Sequence, residues 1–324
     1  MNQLAMVTGA AGFIGSHLSD ALLRNGYDVC GVDNLVTGSR DNLIDARKST
    51  RFHFIEADIT NDPIALFLKI ESDVGSPSRV FHFASPASPI DYANLPIETM
   101  LANSRGTQFC LDASRRWGAR LLFASTSETY GDPLEHPQRE TYWGNVNSVG
   151  PRSCYDESKR FGEALVMAYV RVFDIDARII RIFNTYGPRM RKNDGRVIPN
   201  FLAQITKGEP LTLYGDGSQT RSFCYVDDLV YGVILCMESE KTRARVLNLG
   251  NPEEYTIKEM ASVLSDIAGV DLTTEMRDLP VDDPTRRCPD ITRARDLLGW
   301  TPHVSLREGL KRVVESNHVS AKLS

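Results

Sequence analysis

A tyrosine and a lysine four residues apart offer the clearest acid–base chemistry in this chain. Tyr155 and Lys159 stand in the sequence YDESK, at the start of a segment predicted to be helical as far as Phe173. On a helix this spacing places both side chains on one face, about one turn apart. A lysine ammonium beside a phenol favours the phenolate and lowers its pKa from about 10. A phenolate near neutral pH can take a proton from a hydroxyl group of a substrate.

The Tyr-x-x-x-Lys pattern is short, and most helices that carry it have no catalytic role. A glycine-rich segment upstream supplies the missing context. Leu4 to Thr8 is an apolar run typical of a strand, and Gly9, Gly12 and Gly15 lead from it into a helix. Glycines at such a turn let backbone N–H groups approach a pyrophosphate at the helix N-terminus. The spacing is one residue longer in its first gap than the usual dinucleotide fingerprint, so the glycines alone are weak evidence.

An acid at the end of the second strand strengthens the prediction of a dinucleotide site. Val29 to Val32 is strand-like and ends in Asp33, which lies 18 residues after Gly15. A carboxylate there accepts hydrogen bonds from an adenosine ribose and repels a 2′-phosphate. We therefore expect NAD rather than NADP. Asp58, at the end of the third strand, is equally suited to contact the adenine or to cap the next helix.

Alternating strand and helix patterns predict the fold. Further strands are expected at 52–55, 80–83, 121–124 and 178–183, with long helices at 96–117 and 155–173. This alternation predicts an α/β fold, a Rossmann-type doubly wound parallel sheet with ligands at the carboxyl ends of the strands. Residues 1–185 are expected to form the NAD-binding domain. Residues 186–324 are expected to form mainly a smaller, mixed lobe that binds the substrate and is interleaved with the first domain. The chain is expected to be frayed beyond 317.

Composition restricts the possible partners. The 324 residues carry a net charge of −5 and six scattered cysteines without a C-x-x-C pair. We expect no nucleic-acid partner, no membrane partner and no metal site, and we expect free thiols in a reducing compartment. No basic segment precedes the first strand and no apolar run approaches ~18 residues, which predicts a cytoplasmic protein. An anionic ligand would need a local cluster of arginines.

Several longer runs resemble a known family far more specifically than the glycines do. The runs are His82–Pro89, Ser125–Pro133, Tyr142–Asn147, Gly150–Glu157 and Arg181–Met190. With the glycine turn, Asp33, Tyr155 and Lys159, they make the chain similar to the extended short-chain dehydrogenases/reductases that act on nucleotide sugars. Within that group the likeness is to UDP-glucuronate decarboxylases, also called UDP-xylose synthases, and it covers nearly the whole chain.

Three consecutive residues distinguish the possible reactions. Related 4,6-dehydratases carry an Asp-Glu pair where this chain has Ser127-Glu128, and related 4-epimerases generally lack the glutamate. Thr126-Ser127-Glu128 therefore resembles the decarboxylase pattern, with a 4-epimerase or 4,6-dehydratase as the alternative. A non-catalytic NAD-binding scaffold is a further alternative, but it has no need for Thr126, Tyr155 and Lys159 together.

The resemblance implies a reaction. Tyr155 deprotonates the sugar 4-hydroxyl while carbon 4 is oxidised by NAD⁺, and the resulting β-keto acid loses CO₂ with help from Ser127 and Glu128. The nucleotide base, uridine or thymidine, and the final product, the pentose or the 4-keto-pentose, stay open. The implied catalytic residues are Thr126, Ser127, Glu128, Tyr155, Lys159 and Arg287.

The resemblance also implies the binding residues. The expected cofactor contacts are Gly9, Gly12, Phe13, Ile14, Gly15, Asp33, Asn34, Gly38, Asp58, Ile59, Phe83, Ala84, Ser85, Ser125, Tyr155, Lys159 and Thr185. The expected nucleotide-sugar contacts are Pro86, Asn184, Arg196, Val197, Asn200, Tyr214, Arg221 and Arg287. One departure concerns the sugar, because Leu101 stands where a lysine is expected. The two long helices are expected to pair across a two-fold axis in a homodimer.

Overall fold

A seven-stranded parallel sheet forms the centre of the molecule. The computed structural model describes residues 3–192, 194–271, 273–278 and 286–316. The strand order is β11-β6-β5-β4-β1-β2-β3, and every neighbouring pair is parallel. The strands are β1 (Leu4–Thr8), β2 (Asp28–Asp33), β3 (Phe52–Glu56), β4 (Arg79–His82), β5 (Arg120–Thr126), β6 (Ala177–Ile182) and β11 (Val246–Leu249). The prediction of a doubly wound sheet is confirmed, and the first six strands lie within three residues of their predicted bounds.

Helices cover both faces of this sheet. Leu18, Leu22 and Val233 belong to the apolar core on one face, whereas Phe109 and Val166 belong to the core on the other. The helices are α1 (Phe13–Arg24), α2 (Pro63–Asp73), α3 (Pro89–Asn94), α4 (Pro96–Leu101), α5 (Thr107–Trp117), α6 (Ser153–Phe173), α7 (Val197–Lys207), α8 (Val226–Glu238), α9 (Ile257–Ala268), α10 (Thr292–Leu298) and α11 (Leu306–Ser316). Among the residues that the structure describes, no helix is long and apolar enough to cross a membrane.

The seventh strand was missed by the sequence analysis. Val246–Leu249 lies beside β6 at the edge of the sheet, although it belongs to the range predicted for the second lobe. Its pattern is interrupted by Asn248, which is fully buried. The Asn248 amide accepts a hydrogen bond from the Tyr130 hydroxyl and donates to the carbonyls of Gln138 and Asp290. Asn248 can therefore occupy a buried strand position that is usually apolar, since its side-chain amide has hydrogen-bond partners.

The predicted helix 96–117 is interrupted by one wide turn. A π-helical segment, Ala102–Gly106, separates α4 from α5. Such turns are frequent at functional sites because they reorient one side chain within a helix. Here the buried Asn103 amide donates hydrogen bonds to the hydroxyls of Ser85 and Ser158, both at 3.0 Å. The π turn therefore ties the segment after β4 to α6, the helix that carries Tyr155.

Smaller sheets build the region beyond β6. They consist of β7 (Thr185–Tyr186) with β10 (Cys224–Tyr225), β8 (Leu211–Tyr214) with β13 (Thr274–Arg277), and β9 (Thr220–Ser222) with β12 (Glu254–Thr256) and β14 (Arg286–Arg287). The parallel pairing of β9 and β14 places Arg221 beside Arg287. The domain division at residue 185 stays a prediction, and the expected fraying at 317–324 lies outside the described residues.

Candidate active site

A cavity of about 570 Å³ opens at the carboxyl ends of the central strands. It runs from the glycine turn before α1 to the arginines of β9 and β14. All six residues predicted to be catalytic line it: Thr126, Ser127, Glu128, Tyr155, Lys159 and Arg287. The structure thus brings together side chains from β5, α6 and β14, which are far apart in the sequence.

The glycine turn is packed tightly against neighbouring backbone, which leaves no room for a side chain at Gly9 or Gly15. Gly9 has a φ of +73°, and a Cβ atom there would lie 2.9 Å from the Phe83 carbonyl group. A Cβ atom on Gly15 would lie 2.0 Å from the Gly9 oxygen. The first turn of α1 follows directly, so its free N–H groups and positive dipole end face the cavity. This bare turn fits the pyrophosphate of a dinucleotide.

Asp33 ends β2 beside this turn. Its carboxylate accepts hydrogen bonds from the backbone N–H of Ala11 at 2.9 Å and of Leu35 at 2.7 Å. Burial raises the pKa of Asp33, although both backbone bonds oppose the shift. The position is the one from which a carboxylate reaches an adenosine ribose in a Rossmann fold. The residues thus fit a bound NAD molecule.

Two groups of predicted cofactor residues differ in where they lie. Those that line the cavity are Gly9, Gly12, Phe13, Ile14, Gly15, Phe83, Ser85, Ser125, Tyr155, Lys159 and Thr185. Those that, as far as the structure describes the chain, lie outside its lining are Asp33, Asn34, Gly38, Asp58, Ile59 and Ala84. Thr37 and Asn42 line the cavity and were missed.

One alternative for Asp58 was wrong. The next helix, α2, is capped by Asp62, whose side chain accepts from the Ala65 N–H. Asp58 instead accepts from the backbone and hydroxyl of Thr60 and from the Asn34 amide. A contact between Asp58 and adenine stays a prediction.

Tyr155 and Lys159 share one face of α6, as predicted, but their electrostatics differ from the expectation. Tyr155 is 7% exposed, and burial raises its pKa well above the usual value. The Lys159 ammonium lies 5.9 Å from the centre of the Tyr155 ring and donates to the Ala124 carbonyl at 2.8 Å. Burial lowers the pKa of Lys159 to about 7. The expected low tyrosine pKa was therefore wrong for this structure, because desolvation of the phenol outweighs the Thr126 hydrogen bond and the charge of Arg196, which lower the pKa.

Two contacts hold the Tyr155 side chain in place. A hydrogen bond with the Thr126 side chain lowers the tyrosine pKa, against the effect of burial. The ring of Tyr92 stacks on the Tyr155 ring, with centroids 5.2 Å apart and planes at 10°. Tyr92 was missed because it lies in the short helix α3, and no local pattern connects it to residue 155.

Glu128 lies at the centre of a buried charge cluster. Both its oxygens accept from the Arg287 guanidinium, one of them at 2.9 Å, and Arg152 donates to the same carboxylate at 2.8 Å. Burial alone would raise the pKa of Glu128, but the charges of Arg287 and Arg152 hold it well below its usual value. Glu128 is therefore an ionised carboxylate, oriented by two arginines. The sequence analysis missed Arg152.

A second carboxyl group stands behind this cluster. Asp156 follows Tyr155 on α6 and is buried. Burial and the charge of Glu128 raise its pKa, while Arg152 and Arg287 act in the opposite direction. Its Oδ1 atom has no hydrogen-bond partner in the structure. The same two arginines thus keep Glu128 ionised but do not offset the effect of burial on the pKa of Asp156.

Further arginines surround the remaining half of the cavity. Of the predicted nucleotide-sugar residues, Asn184, Arg196, Val197, Asn200, Tyr214, Arg221 and Arg287 line it. Arg196 pairs with the buried Asp194, which was missed. Pro86 and Leu101 are not among the lining residues in the part of the chain that the structure describes.

Comparisons with known proteins agree with this geometry. UDP-glucuronic acid decarboxylase 1 of Arabidopsis thaliana is 49% identical over 309 residues, or 95% of this chain and 68% of that protein. UDP-glucuronic acid decarboxylase 6 of the same plant is 48% identical over 315 residues, or 97% of this chain and 88% of that protein. The decarboxylase 1 of Danio rerio is 46% identical over 310 residues, or 96% of this chain and 71% of that protein.

Solved structures share the fold at lower identity. UDP-glucose 4-epimerase of Thermotoga maritima superposes with a TM-score of 0.89 at 31% identity, covering 99% of this chain and 100% of that one. UDP-glucuronic acid 4-epimerase of Bacillus cereus, solved with UDP-glucuronic acid and NAD, gives 0.87 at 30% identity, covering 98% and 99%. A family model matches residues 5–250. The chain belongs to the NAD dependent epimerase/dehydratase family.

Proposed function

We propose that this protein is an NAD-dependent decarboxylase of UDP-glucuronate. The observation that carries the proposal is the Glu128 carboxylate, held by Arg287 and Arg152 in the cavity that also contains Tyr155. The decarboxylases named above are the relatives at 46–49% identity, and the uridine nucleotide is taken from them. The overall change converts a uronic acid and one proton into a pentose and CO₂.

The first step is oxidation at carbon 4 of the sugar. When bound, NAD⁺ would supply the hydride acceptor for carbon 4 and would later return the hydride. Tyr155 takes the proton of the 4-hydroxyl. Burial opposes the ionised tyrosine, whereas the Thr126 hydrogen bond and the charge of Arg196 favour it. Lys159, one turn along the helix, is placed to bind the ribose of the nicotinamide half.

The second step is loss of CO₂ from the β-keto acid. Breaking the bond between carbons 5 and 6 sends an electron pair toward the new ketone, whose oxygen faces Tyr155 and Thr126. Glu128, which its arginines keep ionised, is placed to orient a water for the protonation of carbon 5. Arg152, Arg221 and Arg287 together exceed the charge of Glu128, so the cluster attracts the substrate carboxylate. Reduction of the ketone then gives the pentose, so we propose UDP-xylose as the product.

A 4-epimerase of the same substrate is the second candidate. The Bacillus cereus epimerase has a similar fold and was solved with UDP-glucuronic acid. Such an enzyme would keep the carboxyl carbon and invert carbon 4. The Ser127-Glu128 pair favours decarboxylation, because the resemblance associates its glutamate with enzymes other than epimerases.

The decisive experiment follows the carboxyl carbon. The NAD-loaded enzyme is incubated with UDP-glucuronate labelled on carbon 6, and released CO₂ and product mass are measured. We expect stoichiometric CO₂ and UDP-xylose. A product that keeps the label with unchanged mass would identify an epimerase instead. A parallel reaction with TDP-glucuronate tests the choice of base, and a product two mass units below the pentose would show that the reaction stops at the ketone.

The assembly and the compartment are also proposed. On α4 and α6, Ile97 is 62% and Phe161 52% exposed, and Met100, Val172 and Phe173 are exposed as well. An apolar surface on two adjacent helices supports an isologous homodimer through a four-helix bundle. A stable species near 36 kDa in light scattering at micromolar concentration would contradict it. All six cysteines are free in the structure, which supports a reducing compartment such as the cytoplasm.

A further inference from the structure

Three side chains with metal-binding atoms meet outside the cavity. His136, Glu254 and Cys288 each place one ligand atom within 4.8 Å of those of the other two. They come from three separate segments: the loop after β5, the first residue of β12 and the residue after β14. Neither the proposed reaction nor the resemblance uses them. Within the described ranges, no other group of three His, Cys, Asp or Glu side chains brings its ligand atoms this close together.

Hydrogen bonds hold parts of this group in place. His136 Nε2 lies 2.9 Å from Glu254 Oε2. The other carboxylate oxygen, Oε1, accepts from the Thr220 hydroxyl at 2.7 Å, which fixes the carboxylate plane. The Cys288 backbone N–H donates to Gln138 Oε1 at 2.9 Å, so the cysteine is anchored as well. Hydrogen bonds that orient ligands in this way are typical of metal sites.

The chemistry of the donors selects the ion. Imidazole, thiolate and carboxylate together suit a borderline-soft divalent cation, Zn²⁺ above all, and suit Mg²⁺ or Ca²⁺ poorly. His136 and Glu254 are partly accessible, with 32% and 27% of their side chains exposed, so an ion can enter from solvent. Cys288 is buried, so its thiol forms the inner side of the group. Binding replaces the thiol proton: Zn²⁺ and the thiol give a Zn–S bond and one proton released to solvent.

We propose that His136, Glu254 and Cys288 form a Zn²⁺-binding site that inhibits the enzyme by displacing Arg287. Zinc–ligand bonds of about 2.0–2.3 Å place tetrahedral donors roughly 3.3–3.8 Å apart. His136 Nε2 and Glu254 Oε2, now 2.9 Å apart, must therefore separate to admit the ion. Cys288 Sγ, which now donates to the Pro252 carbonyl at 3.3 Å, must leave that partner and turn to the ion. Cys288 directly follows Arg287, whose guanidinium holds Glu128. A displacement of about 1 Å in a catalytic group is enough to lower a rate as much as 100-fold.

A spectroscopic experiment tests the site without any activity measurement. The NAD-loaded protein is titrated with Co²⁺, which gives a strong near-ultraviolet charge-transfer band when it binds a thiolate. We expect one equivalent to produce the band in the wild type and in Cys154→Ser, the matched control that removes the half-buried cysteine beside Tyr155. Cys288→Ser should lose the band, and Glu254→Gln should weaken Co²⁺ binding at least about tenfold. A wild type without the band, or a Cys288→Ser variant that keeps it, overturns the site.

A kinetic experiment tests the coupling to Arg287. CO₂ release is measured at saturating UDP-glucuronate over a range of Zn²⁺ concentrations, with reversal by EDTA. We expect Cys288→Ser to keep the metal-free rate and to need at least about tenfold more Zn²⁺ for half inhibition, while Cys154→Ser behaves as the wild type. Equal inhibition of the wild type and Cys288→Ser overturns the coupling. If the proposed reaction itself were wrong, CO₂ would not form without metal, and the Co²⁺ band would still decide the site.

Discussion

Two buried carboxylates, Asp33 beside the glycine turn and Glu128 in the cavity, have pKa values shifted in opposite directions. Asp33 accepts from two backbone N–H groups, and its pKa is raised because desolvation outweighs those bonds. Glu128 is also buried, but two guanidinium groups hold its pKa below the usual range. Peptide dipoles are partial charges, whereas arginines carry full ones. The comparison shows that partner charge, more than depth, sets the protonation state here.

The two environments also suit different tasks. The Asp33 carboxylate is held by backbone N–H groups within one tight turn, which suits its proposed task of accepting hydrogen bonds from a bound ribose. A carboxylate held by arginines keeps its charge while a substrate carboxylate and a changing sugar ring are brought near it. We therefore expect substitutions at and around Glu128 to lower the reaction rate, and substitutions at Asp33 to lower the affinity for the cofactor.

The largest effect is expected at Tyr155, which we propose serves an oxidation that precedes any use of Glu128. Tyr155→Phe keeps the ring and its stacking on Tyr92 but removes the acid–base oxygen. We expect NADH formation and CO₂ release to be lost together, because the carboxylate has no electron sink until carbon 4 is a ketone. Stopped-flow absorbance and CO₂ trapping measure the two. Cys154→Ser, the neighbouring residue on α6, is the control. Near wild-type CO₂ release by Tyr155→Phe would contradict the mechanism.

Glu128 itself gives the next largest effect. Glu128→Gln keeps the shape of the side chain but removes the charge held by Arg287 and Arg152. The overall rate should fall ~10²–10⁴-fold, the usual range for a lost acid–base group. In a single turnover NADH should still form, because oxidation at carbon 4 does not use Glu128. If NADH formation slows as much as CO₂ release, Glu128 also orients the sugar for oxidation, and the division of tasks between the two residues is wrong.

Removing one arginine tests whether charge keeps Glu128 ionised. With Arg152→Gln, one of the three arginines that lower the Glu128 pKa is lost, so that pKa should rise. The carboxylate would then be protonated as the pH falls through the raised pKa. The variant should therefore lose CO₂ release at a higher pH than the wild type does. The pH profiles of the wild type, Arg152→Gln and Arg152→Lys provide the measurement. Unchanged acidic limbs would contradict the role of Arg152.

The glycine turn and Asp33 could be predicted from the sequence because their residues are close together along the chain. Gly9 to Asp33 is one strand–turn–helix–strand unit, and each residue has a conformational reason within it. The ion pair of Glu128 and Arg287 spans 159 positions, and no spacing rule connects them. Both residues were found through resemblance to a family, whereas their direct contact and the role of Arg152 needed coordinates.

The fold shows the same limit. The first six strands have apolar runs that mark them, and their parallel order follows from the alternation with helices. The seventh strand contains the buried Asn248, whose partners Tyr130, Gln138 and Asp290 are distant in sequence. Tyr155 likewise was predicted as a catalytic residue, but its raised pKa depends on burial by neighbours that the sequence does not identify.

A smaller effect is expected at Asp33. Asp33→Ala leaves the N–H groups of Ala11 and Leu35 and the ribose hydroxyls without an acceptor, so NAD binding should weaken by roughly 1–3 kcal/mol. Discrimination against NADP should fall as well, since the repelling charge is gone. Fluorescence titration with both cofactors measures the change, and the thermal unfolding midpoint shows whether the turn survives. Equal affinity of the wild type for NAD and NADP would contradict the role of Asp33.

The smallest effect is expected at Asp156, a third buried carboxyl group beside the same arginines. The arginines that compensate Glu128 leave this neighbouring carboxyl group with a raised pKa, mainly because it is buried. Between its unfolded value of about 3.9 and the raised folded value, the native state holds a proton that the unfolded chain releases. The free energy of unfolding therefore falls as the pH rises through that window.

Asp156→Asn resembles the protonated side chain, so its free energy of unfolding should match that of the wild type near pH 4. Above neutral pH the variant should be more stable than the wild type by about 1 kcal/mol or more, the equivalent of one pKa unit or more. Urea unfolding of the NAD-loaded proteins at fixed protein concentration measures this, with Glu157→Gln, the next and half-exposed residue of α6, as the control. A difference that is the same at both pH values, or that favours the wild type as the pH rises, would mean that the arginines compensate Asp156 as fully as they compensate Glu128.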